Sequence, residues 1–376
     1  MIYLDNPATS MIKPPQVLDA MNRFTRTHSV NAGRGGHFVS IRGAVGIGET
    51  QEALAEFFGI ENPERIAFTQ NATYALNMAI TGYLKRRDHV IITSMEHNSV
   101  LRPVHRLCSY TMVWANPQGE IDPKDVERAI RKNTKMIITT HASNVCGTVM
   151  PVYEIGKIAE KYGLVYLLDS AQTAGIIPID VEKMGVSILC FSGHKGLMGP
   201  LGTGGLYVGE NVRLSPLIVG GTGTQSKNKY QPEDMPDMLH SGTLNTPAIM
   251  ALKTAVEYIN SVGIENIERR ERELAEYLIS GLKNIPGVVV YGKESGNRNG
   301  TVCFNMGEMA SGEVSDILDR NYRIATRGGY HCTYTAHQTL GSEKSGAVRV
   351  GFGAFSTRRD ADSLLFAVNR IAKNGK

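Results

Sequence analysis

LVYLLDSAQTAGIIPIDVEKMGVSILCFSGHKG, residues 164–196, holds two short apolar runs, each closing on polar side chains. LVYLLDS (164–170) and SILCFSG (187–193) have the length of strands and no polar face, which marks strands covered on both sides. In an open α/β sheet, ligands bind beyond the carboxyl ends of the strands, so the residues following each run are the first candidates for chemistry. Asp169 and Gln172 follow the first run; Ser192, His194 and Lys195 follow the second.

The same pattern extends outward on both sides. IAF (66–68), HVIIT (89–93), MVWAN (112–116), KMIITTHAS (135–143) and GGLYVG (204–209) are further strand candidates. They alternate with helix-like ATYALNMAITGYLKR (72–86), DPKDVERAIRK (122–132) and VYEIGKIAEKYG (152–163), and Glu49–Phe58 has helical spacing stopped by Gly59. Strands alternating with helices predict a mostly parallel sheet covered on both faces. From about residue 250 the pattern becomes α+β. Helical 246–263 and 265–284 precede strands 288–292, 301–306 and 347–355, with a helix at 311–321 and a Thr357/Asp360 capping box. The expected division is a large α/β domain over 16–250 and a small α+β domain built from 1–15 and 251–376.

Other strand ends add to the rim. After IAF, Thr69, Asn71, Ala72 and Thr73 open a helix whose free N–H groups and Thr73 hydroxyl suit phosphate. After HVIIT comes Glu96-His97-Asn98-Ser99, and after KMIITTHAS comes Asn144. Together these describe a cleft for a phosphorylated, aromatic ligand with a cationic nitrogen, and pyridoxal phosphate fits it part by part. Lys195 can form the Schiff base, Asp169 can sustain the pyridinium, Thr73, Ser192 and His194 can hold phosphate, and His97 can stack on the ring.

Composition excludes several alternatives. Over 376 residues, 42% hydrophobic and 20% charged is ordinary globular usage, and a net charge of +4 with no basic run gives no reason to expect nucleic acid. No apolar stretch is long enough to span a membrane and MIYLDNPATS lacks the features of a signal peptide, so a cytoplasmic protein is expected. Cys108, Cys146, Cys190 and Cys303 sit in or beside apolar runs, whereas Cys332 lies in polar, glycine-rich RGGYHCTY. Neither disulfide nor CxxC chemistry is indicated, the histidines lack metal spacing, and GGTGTQSK (220–227) fails the phosphate-loop pattern. Arg349 stands inside apolar AVRVGFG, where an unpaired guanidinium would be costly, so it needs an anionic partner.

ATYALN, EHNSV, SNVCGT, LDSAQ, SGHKGLMGP, SGTLNT, RGGYHC and VRVGFG resemble the class V aminotransferase family, and within it the cysteine desulfurase and selenocysteine lyase branch. That resemblance implies a fold-type-I homodimer, with a mostly parallel seven-stranded sheet in the large domain. It implies Lys195 as the Schiff-base lysine, Asp169 on the pyridine nitrogen, Gln172 on the ring hydroxyl and His97 on the ring face. Ala72, Thr73, Ser192 and His194 would hold the phosphate, with Thr243 supplied by the partner subunit. Asn144 and Arg349 would grip the substrate carboxylate, with Arg327 and His331 beside it, and Cys332 would accept sulfur from cysteine, or meet selenium from selenocysteine, leaving alanine. A sulfur- or selenium-acceptor protein would be the onward partner. Thiolate chemistry at Cys332 needs a neighbouring cation or base, for which His331 and Arg327 are nearest in sequence. Two departures stand out: Tyr74 occupies a position where the family usually has Glu, and the segment after Cys332 (TYTAHQTLGSEKSG) differs from the commonest desulfurases. An aminotransferase, epimerase or β-eliminating lyase that does not use Cys332 is the alternative within the family, and a catalytically retired scaffold the alternative outside it.

Overall fold

A computed structural model describes residues 1–374. The amino-terminal part runs β1 (Ile2–Tyr3), α1 (Pro15–Thr27), α2 (Phe38–Phe58), β2 (Ile66–Thr69), α3 (Ala72–Tyr83), β3 (His89–Thr93), α4 (Asn98–Leu107) and β4 (Ser109–Val113). It continues through α5 (Pro123–Arg128), β5 (Thr134–Thr140), α6 (Val152–Lys161), β6 (Val165–Asp169), β7 (Ile188–Ser192), β8 (Gly204–Val208) and α7 (Thr246–Val262). The rest is α8 (Ile264–Lys283), β9 (Val288–Tyr291), β10 (Thr301–Met306), α9 (Ser311–Tyr322), β11 (Ile324–Ala325), β12 (Arg327–Gly329), α10 (Tyr334–Leu340), β13 (Ala347–Gly351) and α11 (Arg358–Asn374).

β2 through β8 form one seven-stranded sheet, in the order β2-β8-β7-β6-β5-β3-β4. Successive side chains alternate between two cores, as the period of two requires. Ile137, Tyr166, Leu168, Leu189 and Phe191 join α2, α6 and α7 on one face. Ile138, Leu167, Ile188, Cys190 and Leu206 join α3 and α4 on the other. The apolar runs therefore lack a polar side because helices cover both. β8 is the exception in direction: it pairs antiparallel with both β2 and β7. No helix lies between β7 and β8, and without a crossover a chain can only return antiparallel.

The strand expected at MVWAN lies three residues earlier. β4 is an edge strand that ends at Val113; Trp114 is exposed, and the Asn116 side chain accepts from the Gln118 and Glu120 N–H groups to close a turn. The carboxy-terminal sheet, β12-β13-β10-β9, is antiparallel and packs Val302, Phe304, Val348 and Val350 against α8, α9 and α11. Leu4 belongs to that core, and β1 pairs parallel with β11. The 250/251 division falls inside α7, however, and that helix buries Ile249, Leu252, Val256 and Ile259 in the core of the large sheet. Packing favours a boundary near Gly263, whose φ of 85° separates α7 from α8.

Candidate active site

β6 ends on Asp169 and its neighbour β7 on Ser192, with Asp169 opposite Cys190. The chain leaving β7 therefore turns back over Asp169 within three residues, which brings in Lys195. The turns after the two strands touch backbone to backbone: a Cβ on Gly196 would stand 2.6 Å from the Ala174 carbonyl oxygen. Glycine is required there, because no larger residue lets the lysine loop approach the Asp169 turn so closely. Asp169 is buried and accepts from the Ala171 N–H at 2.9 Å. Burial raises its pKa, against the Ala171 hydrogen bond and the Lys195 charge. Lys195 is half-buried; its ammonium is pulled to about 8, mainly by burial, with Asp169 opposing.

Asn71 caps α3, accepting from the Tyr74 N–H at 3.2 Å. That leaves the first N–H groups of the helix, at Ala72 and Thr73, directed at the cleft. The Thr73 and Ser99 hydroxyls are 2.8 Å apart, and His97 caps α4 by accepting from the Ser99 N–H at 3.1 Å. Because Nδ1 is the acceptor, the His97 ring carries its proton on Nε2. Burial first, then Lys195 and nearby arginines, lowers its pKa to about 4, so the ring that lines the cleft is neutral. His194 Nδ1 lies 3.0 Å from the Thr9 hydroxyl, and Gln172 donates to the Pro7 carbonyl at 3.0 Å.

Ala72, Thr73, His97, Asn144 and Asp169 line one cleft with Gln172, Ser192, His194 and Lys195, and its empty volume is about 660 Å³. These residues fit pyridoxal phosphate: a buried carboxyl without a cation of its own, an amine poised near neutrality, a flat neutral ring and unfilled N–H donors. Among the described residues no cluster of three or more His, Cys, Asp or Glu side chains is placed to hold a metal.

A second ring of residues reaches the cleft through Asn144. Its amide donates to the His331 carbonyl at 2.8 Å and accepts from the Thr333 hydroxyl at 2.8 Å, and its carbonyl accepts from Arg349 Nη1 at 3.1 Å. Arg349 is almost fully buried in β13; its Nη2 pairs with Asp5 at 2.7 Å, while Nε has no partner. His331 and Cys332 both take left-handed backbone, with φ of 51° and 61°. That strain is held in place by the Asn144 contact and by the Asn98 N–H, which donates to the Cys332 carbonyl at 2.8 Å. The first residue of α4 thus anchors the backbone of Cys332, an exposed cysteine, one residue from His97.

His331 is not free to serve Cys332 as a base. Its Nε2 lies 3.0 Å from the Arg327 carbonyl, so it donates there, and Nδ1 accepts from His337 Nε2 at 3.3 Å. His337 in turn accepts from the Ser342 hydroxyl at 2.8 Å. Both rings are neutral, held down chiefly by burial. The groups sharing a surface hollow with Cys332 are instead His97, Arg102 and Arg106. Thr243 is exposed and does not line the cleft of its own chain.

Sequence reading missed Asp5, Thr333 and His337, and gave Glu96 no role. Glu96 Oε1 accepts from the Thr93 hydroxyl at 2.6 Å and the Thr140 N–H at 3.0 Å, tying the ends of β3 and β5. Burial raises its carboxyl to about 8, so it is protonated at neutral pH. Its position directly before His97 was the one available signal; nothing in the sequence pointed to Asp5, 344 residues from its partner.

Relatives share this layout over almost the whole chain. A probable cysteine desulfurase of Methanothermobacter thermautotrophicus is 34% identical, covering 100% of this chain and 95% of that protein. A cysteine desulfurase of Haloferax volcanii is 31% identical over 98% of this chain and 89% of its own. The apo structure of a cysteine desulfurase from Thermococcus onnurineus superposes with a TM-score of 0.92 at 32% identity, covering 99% of this chain and 94% of that one. A cysteine desulfurase of Escherichia coli, at 25% identity, superposes with a TM-score of 0.87 over 99% of this chain and 94% of its own. The family model described as aminotransferase class-V matches residues 2–364, and the chain belongs to that family.

Proposed function

We propose that this protein is a pyridoxal-phosphate cysteine desulfurase, taking sulfur from L-cysteine onto Cys332 and releasing alanine. The observation that carries the reading is the hydrogen bond from the Asn98 N–H to the Cys332 carbonyl, which ties the backbone of an exposed cysteine to the helix whose cap, His97, lines the lysine cleft. When bound, pyridoxal phosphate supplies an aldehyde for the substrate amine and an electron sink for the pair left at Cα. Asp169 holds the ring nitrogen, Gln172 the ring hydroxyl and His97 the ring face. Ala72, Thr73, Ser192 and His194 hold the phosphate. The unpartnered Nε of Arg349 and the Asn144 amide receive the substrate carboxylate. Lys195, with an amine poised near pH 8, moves the Cα proton. The Cys332 thiolate, with Arg102 and Arg106 beside it, attacks the substrate sulfur: an S–S bond forms, the Cβ–S bond breaks with its pair retained on carbon, and a proton completes alanine. A thiolate of an acceptor protein then attacks the outer sulfur of the persulfide, forming a new S–S bond and releasing the Cys332 thiolate.

The active unit is a homodimer. Phe38, Ile41 and Val45 on α2 and Val219 on the 215–245 segment are exposed apolar side chains, more than a lone subunit would leave to water. Arg34 joins the two stretches by donating to the Gly221 and Gly242 carbonyls, next to Thr243, which suits a threonine given to the partner's phosphate site. Five free cysteines, one exposed, suit the reducing cytoplasm, and among the described residues no helix is long and apolar enough to cross a membrane.

The test is alanine and sulfide release from L-cysteine by wild type and Cys332→Ala, with selenocysteine run alongside. Cys332→Ala loses activity with cysteine on the order of a hundredfold or more while its cofactor absorbance stays unchanged. Undiminished alanine production would sink the reading, leaving a class V enzyme that does not use this thiol.

A further inference from the structure

Behind the lysine loop lies a second, partly open chamber, with an enclosed volume of about 130 Å³. It is bounded by the amino-terminal segment, α8 and the loop following β13, and it meets the cofactor cleft at Gln172 and Lys195. Its wall is more apolar than polar, and Met11, Ile176, Ile267, Phe352 and Phe355 are among the residues that line it. Into this wall α8 projects one carboxyl group, that of Glu271.

Glu271 is 2% exposed, and among the described residues it makes neither a hydrogen bond nor an ion pair. Gly300 leaves room for it: a Cβ there would stand 3.0 Å from Glu271 Oε2. Among the described residues, the other charged groups that line the chamber are the amino terminus at Met1, Asp360 and Lys195, and no ion pair joins any of them to Glu271. Asp360 has the same sign, and Lys195 belongs to the cofactor. A lone carboxyl in such surroundings costs several kcal/mol when ionised, a cost that a matched cation removes. Helix packing does not explain it, since leucine or methionine at this position would fill the same space without that cost.

We infer that this chamber binds a small organic cation with an apolar body, its amidinium, guanidinium or ammonium group paired with Glu271 and its hydrocarbon against Ile267, Phe352 and Phe355. The enclosed part of the chamber, about 130 Å³, suits one such small molecule. A planar cation with two parallel N–H donors matches the carboxylate best.

Benzamidine is the probe, because it has the cation and the aromatic body but no amine to condense with the cofactor. Calorimetric titration of the holoenzyme gives saturable binding of one benzamidine per chain. Glu271→Gln weakens it at least about tenfold, the loss expected for a charge-assisted pair, and benzyl alcohol binds wild type at least about tenfold more weakly. Glu271→Gln removes a buried lone carboxyl, so its apparent Tm is no lower than that of wild type. Ala354→Trp, which fills the chamber and leaves Glu271 intact, abolishes binding. Affinity also rises with pH as Glu271 ionises around 8. Equal affinity in wild type and Glu271→Gln overturns the inference. So does a lack of binding to wild type, or displacement of benzamidine by saturating L-cysteine, which would place it in the main cleft. None of these readouts depends on turnover, so they stand apart from the desulfurase test.

Discussion

Replacing Arg349 with lysine asks whether the substrate carboxylate is held by geometry or by charge alone. In the free protein the guanidinium uses Nη2 on Asp5 at 2.7 Å and Nη1 on the Asn144 carbonyl at 3.1 Å, and its buried Nε has no acceptor. A buried donor left unpaired costs about 1–3 kcal/mol, which an arriving carboxylate relieves. Lysine keeps the charge and can still pair with Asp5, but it is a point donor and cannot hold Asp5 and the carboxylate along fixed directions. The expected loss is one charge-assisted hydrogen bond, about 1.5–3 kcal/mol, so KM for L-cysteine rises roughly ten- to hundredfold. The carboxylate is held throughout the reaction, so the loss falls on KM more than on kcat. Initial rates of alanine formation across cysteine concentrations measure both, and apparent Tm checks that Asp5 still has its cation. A KM within about twofold of wild type, with the protein folded, would refute the assignment of Arg349.

Gly196→Ala puts a Cβ 2.6 Å from the Ala174 carbonyl oxygen, so either turn must retreat. Apparent Tm falls by the equivalent of about 1–3 kcal/mol and cofactor absorbance drops at fixed cofactor concentration; a normal holoenzyme would show that the two turns need no such approach. Acid lability follows from the buried histidines. His97, His141, His194, His240 and His337 are drawn down to about 4 by burial, so between about 4 and their unfolded value near 6.5 the unfolded chain binds more protons. Their contribution to stability is therefore full above about 6.5 and is lost as pH falls toward 4. Glu96 and Glu271, raised to about 8, act in the opposite sense but are fewer. Apparent Tm consequently drops between pH 7 and pH 5, and His337→Phe flattens that drop; a flat profile in wild type would contradict the burial of these rings.

The large sheet was legible because its strands are covered on both faces. HVIIT matches β3 residue for residue, and in the small sheet TVCFNM matches β10 in the same way. An apolar run does not encode its direction, so the reversal of β8 was not readable from GGLYV; the missing crossover helix is what fixes it. Nor does an amphipathic helix announce its partner. Residues 246–262 have clear helical spacing, yet only packing shows that Leu252 and Val256 face the large core rather than the small one.

The site divides along the same line. Asp169, Gln172, His194 and Lys195 were readable because strand ends deliver side chains locally, whereas Asp5, Thr333 and His337 matter only through distant partners. The opening segment makes the point most sharply. It was read as a short piece that packs on the small domain, and Leu4 does so. Yet within a few residues Asp5 pairs with Arg349, the Ser10 hydroxyl donates to the Lys195 carbonyl at 3.0 Å, and Lys13 donates to the His194 carbonyl at 2.8 Å. The arginine assigned to the substrate carboxylate sits in the small domain's sheet and the lysine in a loop of the large one, and one stretch of backbone braces both. Relative movement of the two domains therefore cannot shift one group without loading the contacts that hold the other. For a reaction in which Cα must lie over the lysine while its carboxylate is held, that coupling fixes the separation that matters most.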